Sequence, residues 1–409
     1  MPPRESAADP RDRRPRAIAL VTHSYYEEDP RLRRQAESLA RAGWSVDVFG
    51  LRRPGESGEG DLEGVHIRRL GVQRHQGAGL VRYLREYLAF FVRVLFALAR
   101  AHRRRHYAAV QVATLPDWLV FATAPLRAVG VPVILDLHEA MPEFFRSRFP
   151  GLLRRPGAWV LRLQERASVR FADHVMTVND ALADRLVALG VPRDRLSVIA
   201  NSPSLARFDP GAAPARTFMA DGTLRLVYAG AVTPMYELDV VLDALALLRR
   251  RRPSLPVRLE IFGRGDAAGP LAAQSERLGL GGVVTQHGRI PVEAVPAAIA
   301  ASDVGLAPTR RDPFTDLSLS TKIFEYTAMG KPALCSDLPL VARTFGPGAV
   351  WTYASGDADS LVDVLGAIID QPVARDARAA TAAARTRSVG WEDEAVRYLA
   401  VIDGVARAR

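Results

Sequence analysis

The stretch that decides the fold is 196–229, which reads LSVIANSPSLARFDPGAAPARTFMADGTLRLVYA. It starts with a short apolar run, Leu196–Ile199, passes through the Pro/Gly/Ala-rich segment Asp209–Arg216, and ends in a second apolar run, Leu224–Ala229. Apolar runs of this length, bounded by turn residues, are typical of buried strands. The segment between them has the composition of an interdomain linker. One domain is therefore predicted to end here and another to begin.

Short apolar runs alternate with helix-length segments on both sides of this linker. The remaining predicted strands are Ala17–Thr22, Ser45–Phe49, Val110–Ala113, Val133–Leu137 and His174–Val178 before it, and Val257–Phe262, Val283–His287, Val304–Leu306, Ala333–Cys335 and Val350–Tyr353 after it. Alternating βα units predict parallel sheets with crossover helices. Two such series predict an α/β protein with two Rossmann-like, doubly wound domains. Ligands of such folds bind beyond the carboxyl ends of the strands.

Composition and charge limit the function classes. The 409 residues are 48% hydrophobic, enough for two full cores, and the single cysteine, Cys335, excludes a disulfide framework. Residues 1–205 carry 32 basic and 22 acidic side chains, whereas residues 206–409 carry 23 of each. This asymmetry predicts an anionic partner for the first half, unless a coding bias towards arginine explains it. The opening residues lack the apolar core of a signal peptide, so we expect a cytoplasmic protein.

The segment Asp312–Pro332, DPFTDLSLSTKIFEYTAMGKP, carries the most chemistry. Ser320 or Thr321 can cap a helix that begins near Lys322, and Gly330 can end it. Free amides, the helix dipole and Lys322 together predict a diphosphate site, with Glu325 one turn away to accept hydrogen bonds from a ribose. The alternative is an ordinary capped helix with a surface Lys–Glu pair. The chain has only two lysines, and both lie in this segment.

This segment resembles the donor-binding helix of glycosyltransferase family 4, whose members are retaining enzymes with the GT-B fold. Further stretches resemble the same family, in the same order. They are His23–Arg34 (HSYYEEDPRLRR), Asp136–Phe144 (DLHEAMPEF), Ile261–Gly265 (IFGRG), Gln286–Ile290 (QHGRI), Ala301–Pro308 (ASDVGLAP) and Gly356–Leu361 (GDADSL). The first two are similar to enzymes of polysaccharide synthesis. The resemblance extends from Ala17 over nearly all of the chain.

The resemblance implies a two-domain hexosyltransferase that uses a UDP- or GDP-sugar and needs no metal or other cofactor. It divides the chain into a disordered basic tail (1–16), an acceptor-binding domain (17–205), a linker (206–222), a donor-binding domain (223–389) and a last helix (390–409) that crosses back to the first domain. The implied donor-binding residues are Gly230, Ala231, Arg264, Gly288, Arg289, Ile290, Ser320, Thr321, Lys322 and Glu325. The implied acceptor-binding residues are Tyr25, Arg31, Arg34 and Glu139.

His138 matches the active-site histidine of the family and follows the predicted strand Val133–Leu137. A histidine at this place is suited to stabilise negative charge on a leaving diphosphate, although it could instead be a core histidine with satisfied ring nitrogens. The acceptor is expected to be a saccharide, a polyprenyl-linked sugar or a small molecule. No motif for nucleic-acid recognition is present.

Three positions depart from the family pattern. Leu317 stands where the first of two glutamates is usual. Asp316 beside it is the candidate substitute in the catalytic site, and the nearby Asp312 is the alternative. Ala231 and Tyr236 stand where an arginine and a lysine usually bind the diphosphate. Lys322, Arg264 or Arg289 would have to compensate. The second hypothesis is therefore an inactive homologue that acts as a scaffold.

Two further patterns have alternative explanations. The segment Gly79–Ala101 is basic and has apolar residues at helical spacing: Leu84, Leu88, Phe91, Leu95 and Leu98. It could lie at the inner face of a membrane or pack on the sheet through the same stripe. Asp357 and Asp359 form a D-x-D pattern, but their place before a helix predicts N-capping rather than metal binding.

Overall fold

The computed structural model describes residues 16–73, 80–148, 154–212, 214 and 216–408. The predicted disordered tail lies outside these residues except for Arg16, and so does Gly79, the predicted start of the basic helix.

Eight strands form the first sheet of the described chain, in the order β3-β4-β2-β1-β5-β6-β7-β8. Their bounds are β1 Ala17–Val21, β2 Ser45–Leu51, β3 Glu59–Leu62, β4 Val65–Leu70, β5 Ala109–Ala113, β6 Val133–Asp136, β7 His174–Thr177 and β8 Leu196–Val198. All neighbours pair in parallel except β3 and β4. The helices are α1 Pro30–Arg41, α2 Leu80–Arg105, α3 Ala124–Ala128, α4 Met141–Arg148, α5 Arg154–Phe171 and α6 Asp180–Ala188, and a 3-10 helix spans Asp117–Thr123.

The second sheet has six strands within the described ranges, in the order β11-β10-β9-β12-β13-β14, and every pair is parallel. Its strands are β9 Leu224–Ala229, β10 Val257–Phe262, β11 Val284–Gly288, β12 Val304–Ala307, β13 Ala333–Ser336 and β14 Trp351–Tyr353. Its helices are α7 Leu238–Arg251, α8 Ala268–Arg277, α9 Val295–Ala300, α10 Thr321–Ala328, α11 Pro339–Phe345, α12 Ala358–Asp370 and α13 Pro372–Arg387. The predicted fold class, two doubly wound parallel-sheet domains, is confirmed.

The last helix, α14 (Trp391–Arg407), packs against the first domain. Trp391, Tyr398 and Ile402 are buried in one apolar core together with residues of α1 and of the first sheet. The indole of Trp391 donates to Ser38 Oγ at 3.0 Å, and the Tyr398 hydroxyl donates to Gln111 Oε1 at 2.7 Å. The last helix and the first strand therefore belong to the same apolar core.

The sequence did not predict the antiparallel pair of β3 and β4. Glu59–Leu62 is short and mostly polar because it forms the exposed edge of the sheet, so it carries no apolar signal. Its turn consists of Glu63 and Gly64, which have φ of 51° and 77°. A two-residue turn with both φ positive is a tight hairpin connection, and the glycine was the available signal.

Candidate active site

A cleft of about 460 Å³ lies between the two domains. His138, Glu139 and Asn179 line it from the first domain. Tyr236, Leu317, Ser320, Thr321 and Lys322 line it from the second. The carboxyl end of β6 and the start of α10 therefore face the same space, as the position of ligand sites in doubly wound sheets leads one to expect.

His138 is half-buried, two residues after β6. Its Nδ1 lies 3.2 Å from Thr114 Oγ1 and 3.4 Å from the carbonyl oxygen of Asp136. Burial, and after it the positive charge of Arg31, lowers the pKa of His138 to about 3. The imidazole is therefore neutral at pH 7.

Arg31 lies inside the first domain. Its guanidinium donates to Asp136 Oδ2 at 2.5 Å, and the same oxygen accepts from the side-chain amides of Gln35 and Gln111. Arg31 is not among the residues that line the cleft. Its positive charge nevertheless helps to lower the pKa of His138.

The other two predicted acceptor residues on this side are also held by neighbours. Arg34 is buried, donates to Asn201 Oδ1 at 2.6 Å, and lies 5.7 Å from the centre of the Trp391 ring. Burial lowers the pKa of Arg34 to about 10. Tyr25 carries the guanidinium of Arg53 over its ring at 4.4 Å. Of the four predicted acceptor residues, Glu139 is the one that lines the cleft.

The α10 helix begins at Thr321, with Ser320 at the N-cap position. The prediction that Ser320 or Thr321 caps it needs a correction, because no side chain makes a capping hydrogen bond there. Ser320 Oγ is buried, and no group in the described part of the chain bonds to it. Gly330, with φ of 68°, follows the last turn as predicted. The amides at the start of α10 thus have no side-chain acceptor, which suits an anionic ligand.

Lys322 lies across Gly230, the residue directly after β9. A Cβ at Gly230 would come within 2.1 Å of Lys322 Cε, so the lysine packs directly over the glycine backbone and would have to shift for any larger residue. The Lys322 ammonium lies 3.8 Å from the centre of the Tyr236 ring and 5.3 Å from that of Tyr228. Two aromatic faces thus hold a largely buried cation beside the first β-to-α loop of the second domain.

The same loop explains the G-x-G pattern at 263–265. A Cβ at Gly263 would lie 1.7 Å from the carbonyl oxygen of Gly230, and one at Gly265 would lie 1.9 Å from that of Val232. Both glycines are required because two backbone segments cross there. Two of the predicted donor-binding residues, Arg264 and Ala231, are exposed at this crossing. The carbonyl of Ala231 accepts from the Tyr228 hydroxyl at 2.5 Å.

Glu325 is half-buried on α10, one turn after Lys322. Burial raises the pKa of Glu325 to about 7, and the charges of Lys322, Arg34 and Arg207 lower it in part. Arg34 belongs to the first domain and Arg207 to the segment between the domains. Glu325 therefore lies where the charges of both domains meet, although it does not line the cleft itself.

The predicted base-binding loop follows β11. Gly288 has φ of 73°, and its carbonyl accepts from the amide of Gly263 at 2.7 Å, which joins this loop to the one after β10. Arg289 forms an ion pair with Glu28 of the first domain. Gly288, Arg289 and Ile290 are not among the cleft-lining residues, so the cleft and this loop are separate parts of the predicted donor site.

Asp316, the predicted substitute for the missing glutamate, does not line the cleft. Its carboxylate accepts from Arg311 Nε at 3.2 Å on the surface of a 3-10 helix, Thr315–Leu317. The neighbouring Leu317 lines the cleft instead, and its carbonyl accepts from Asn179 Nδ2 at 3.1 Å. Asp312 accepts from the amides of Phe314 and Thr315 and from the hydroxyl of Ser147 in the first domain. The structure thus gives both aspartates local partners.

Two residues that line the cleft, Asn179 and Tyr236, were not predicted to belong to the site. Asn179 caps α6 by accepting from Leu182 N at 2.9 Å, so its position reads as an ordinary N-cap. In the sequence, Tyr236 stands at a position where the family usually has a lysine. In the structure, its ring packs against the ammonium of Lys322. Asp357 accepts from the amide of Ser360, which is the N-capping predicted for the D-x-D pattern.

Two family models match the chain, one described as a glycosyl transferase 4-like domain over residues 29–202 and one as glycosyl transferases group 1 over residues 223–371. The chain belongs to this family of glycosyltransferases. The resemblance inferred from the motifs is therefore confirmed at the level of the family.

Relatives of this glycosyltransferase align with most of its length. It is 27% identical over 349 residues to a D-inositol 3-phosphate glycosyltransferase of Streptomyces scabiei, which covers 81% of this chain and 75% of the relative. A relative of the same name from Kineococcus radiotolerans is 26% identical and covers 87% of this chain and 85% of its own.

Solved structures of glycosyltransferases share the fold. Sucrose-phosphate synthase from Thermosynechococcus elongatus superposes with a TM-score of 0.79 at 17% identity, over 96% of this chain and 100% of that one. Anabaena HepE in complex with UDP-glucose superposes with a TM-score of 0.70 at 14% identity, over 95% of this chain and 99% of that one. These likenesses establish the GT-B architecture.

Proposed function

We propose that the chain is a retaining, metal-independent hexosyltransferase that moves a sugar from a nucleotide-sugar donor to an acceptor bound by the first domain. The observation that carries the proposal is the shared cleft, which His138 lines from one domain and Ser320, Thr321 and Lys322 line from the other. A donor whose diphosphate lies at the start of α10 would place its sugar towards His138.

The donor side supports a nucleoside diphosphate. Lys322 supplies a positive charge, and the first amides of α10 supply hydrogen-bond donors and the positive end of a helix dipole. Glu325, next along the helix, would accept hydrogen bonds from ribose hydroxyls, and Gly288, Arg289 and Ile290 would contact the base. A UDP- or GDP-sugar fits this arrangement. Lys322 and the helix would neutralise the diphosphate charge that a metal ion neutralises elsewhere.

The chemistry follows from the charge that develops on the leaving group. The acceptor oxygen forms a bond to the anomeric carbon, the bond from that carbon to the phosphate oxygen breaks, and the acceptor proton passes to the departing diphosphate. Attack on the leaving-group face retains the anomeric configuration. The His138 imidazole lines the cleft beside this charge and would stabilise it electrostatically. Catalysis would rest on positioning and electrostatic stabilisation.

The acceptor is proposed to be a saccharide, a polyprenyl-linked sugar or a small molecule, used in the cytoplasm or at the inner face of a membrane. The excess of basic residues in the first half favours an acceptor with a phosphate or another negative charge. The two relatives are named for D-inositol 3-phosphate, which has such a group.

A thermal-melt series tests the donor site. We expect one of UDP, GDP, ADP and TDP to raise the melting temperature selectively, with or without magnesium, because a ligand that binds only the folded state stabilises it. The matching sugar nucleotides are then assayed for transfer, and the anomeric configuration of the product is read by NMR. A shift that needs magnesium would contradict the metal-independent site.

The second candidate is an inactive homologue that acts as a scaffold. Leu317 and Ala231 favour it, because neither can replace the charged group usual at its position. No melting shift with any of the four diphosphates would place the scaffold hypothesis first. A shift followed by transfer of sugar would exclude it.

A further inference from the structure

We infer that the outer side of α2 and α5 binds the surface of an anionic lipid bilayer. We call this area the α2–α5 surface. Its apolar members are Val81, Leu84, Leu88, Val92 and Phe96 of α2 and Trp159, Val160 and Leu163 of α5. The inference does not depend on the proposed transfer reaction, because it concerns a surface on the back of the first domain's helix layer.

The structure shows that α2 has two apolar stripes rather than the single one predicted. Phe90, Val94 and Leu98 are buried against the sheet, with exposed fractions of 1% or less. On the opposite side Leu84, Leu88 and Phe96 are exposed by 54%, 57% and 68%. Packing on the domain therefore accounts for one stripe and leaves the other in water. Exposed apolar surface is unfavourable in water, and a partner that covers it would remove this unfavourable free energy.

The two helices lie in one layer of the first domain. Both pack on the 3-10 helix Asp117–Thr123, on one face of the first sheet. Phe91 of α2 lies 5.3 Å from the Trp118 ring, and Phe171 of α5 lies 5.1 Å from the Phe121 ring. Since they form one layer, their outward sides form one surface. Trp159, exposed by 62%, has the amphipathic ring that favours the interface between lipid and water.

The charge of this surface favours anionic lipid. The exposed arginines that accompany the apolar residues are Arg85, Arg93, Arg100, Arg103 and Arg104 on α2 and Arg166 and Arg170 on α5. The acidic residues of the two helices are Glu86 and Glu165, and both are buried in the domain. Each basic residue near an anionic membrane adds to its attraction, and long arginine side chains reach the head groups while the apolar residues insert.

This charge also decides between a bilayer and a second copy of the chain. A symmetric dimer through this surface would set the arginines of one copy against those of the other, and the surface has no exposed carboxylate to pair with them. Within the ranges that the structure describes, no helix is long and apolar enough to cross a membrane. The expected mode is therefore contact with one leaflet.

The position of the surface suits an acceptor that is itself in a membrane. The α4 helix starts three residues after His138 and packs along α5. A bilayer on the α2–α5 surface would thus be connected to the residues around His138 through α5 and α4.

Vesicle co-sedimentation tests the inference on the whole protein. Vesicles of phosphatidylcholine with phosphatidylglycerol are compared with vesicles of phosphatidylcholine alone, at low and high salt. We expect binding to the anionic vesicles and roughly tenfold less in 0.5 M salt, because the Debye length falls to a few ångströms. The double variant Leu88→Glu/Phe96→Glu should lower binding at least roughly tenfold, since it removes inserted apolar area and adds negative charge.

The chain offers a matched control. Val373 and Val396 are exposed by 83% and 68% on other helices, so Val373→Glu/Val396→Glu adds the same charges elsewhere. It should bind vesicles almost as the unchanged protein does. Equal loss in both double variants would show that net charge alone acts, and no binding by the unchanged protein would overturn the inference. A dimer in solution that Leu88→Glu/Phe96→Glu dissociates would also overturn it. Melting of each variant with its best nucleotide separates failure of this surface from failure of the donor site.

Discussion

Replacing Lys322 by methionine tests the proposal that this glycosyltransferase binds a diphosphate through Lys322, although the cations usual at positions 231 and 236 are missing. Methionine keeps most of the length and apolar volume that packs over Gly230 and against the Tyr236 ring, and it removes the charge. A hydrogen bond to a charged group contributes about 1.5–3 kcal/mol, and each 1.4 kcal/mol is a factor of ten. We therefore expect Lys322→Met to weaken binding of UDP, or of whichever diphosphate binds best, by roughly 10- to 100-fold.

The folded state should tolerate this change. The variant loses a cation–π contact of about 0.5–2 kcal/mol, but it also removes a largely buried charge, so the two effects offset each other in part. Isothermal titration calorimetry with the diphosphate and with the corresponding nucleoside gives the decisive comparison. The loss should appear with the diphosphate and be nearly absent with the nucleoside, which has no phosphate.

Tyr236 provides the companion variants. Tyr236→Phe keeps the ring face and should bind the diphosphate almost normally, whereas Tyr236→Leu should weaken it because the Lys322 ammonium loses its support. The double variant Lys322→Met/Tyr236→Lys restores a lysine ammonium close to the position of the original one, from residue 236 instead of residue 322. Part of the affinity for the diphosphate should therefore return. The reasoning would be refuted if Lys322→Met bound the diphosphate normally, or lost the nucleoside to the same extent.

Three further predictions concern the rest of the site and the fold. His138→Ala should lower kcat at least roughly tenfold with an unchanged melting temperature, since the imidazole acts on developing charge, and normal turnover would remove it from the mechanism. Burial raises the pKa of Glu325 from 4.5 to about 7, so the folded protein loses stability as the pH rises through 7. Glu325→Gln lacks this titration. In urea denaturation without nucleotide, the unfolding free energy of the variant relative to that of the unchanged protein should therefore increase by about 2–3 kcal/mol from pH 5 to pH 8. Trp391→Ala should cost about 3–5 kcal/mol of unfolding free energy, because the buried indole and its bond to Ser38 are lost, and a cost under 1 kcal/mol would contradict the packing described for α14.

Local signals explain what the sequence could predict of the site. The glycine after α10, the lysine in its first turn and the glutamate one turn later all act within a few residues, and a single segment contains them. The parallel strands were equally readable because each is a short apolar run between turn residues. His138 lines the cleft because it follows such a strand.

What the sequence could not show depends on distant contacts. Tyr236 and Lys322 belong to different βα units, so the support that one gives the other appears only once the sheet brings them together. Arg31 was predicted to bind an acceptor, but the sequence does not reveal that it faces Asp136 within the domain rather than the cleft. The same holds for Ser320, whose hydroxyl was expected to cap α10 and does not.

The last helix has a consequence for how the two domains are joined. The chain passes from the first domain to the second once, between β8 and β9, and returns once, before α14. The two passages lie side by side, because Trp391 N donates to the carbonyl of Pro203 at 2.9 Å and Glu392 accepts from the amides of Leu205 and Ala206. We expect a double connection of this kind to let the domains open and close about one axis and to resist twisting. It also means that a protease cut between the domains would leave the halves assembled, since the C-terminal fragment would still contribute α14 to the core of the N-terminal one.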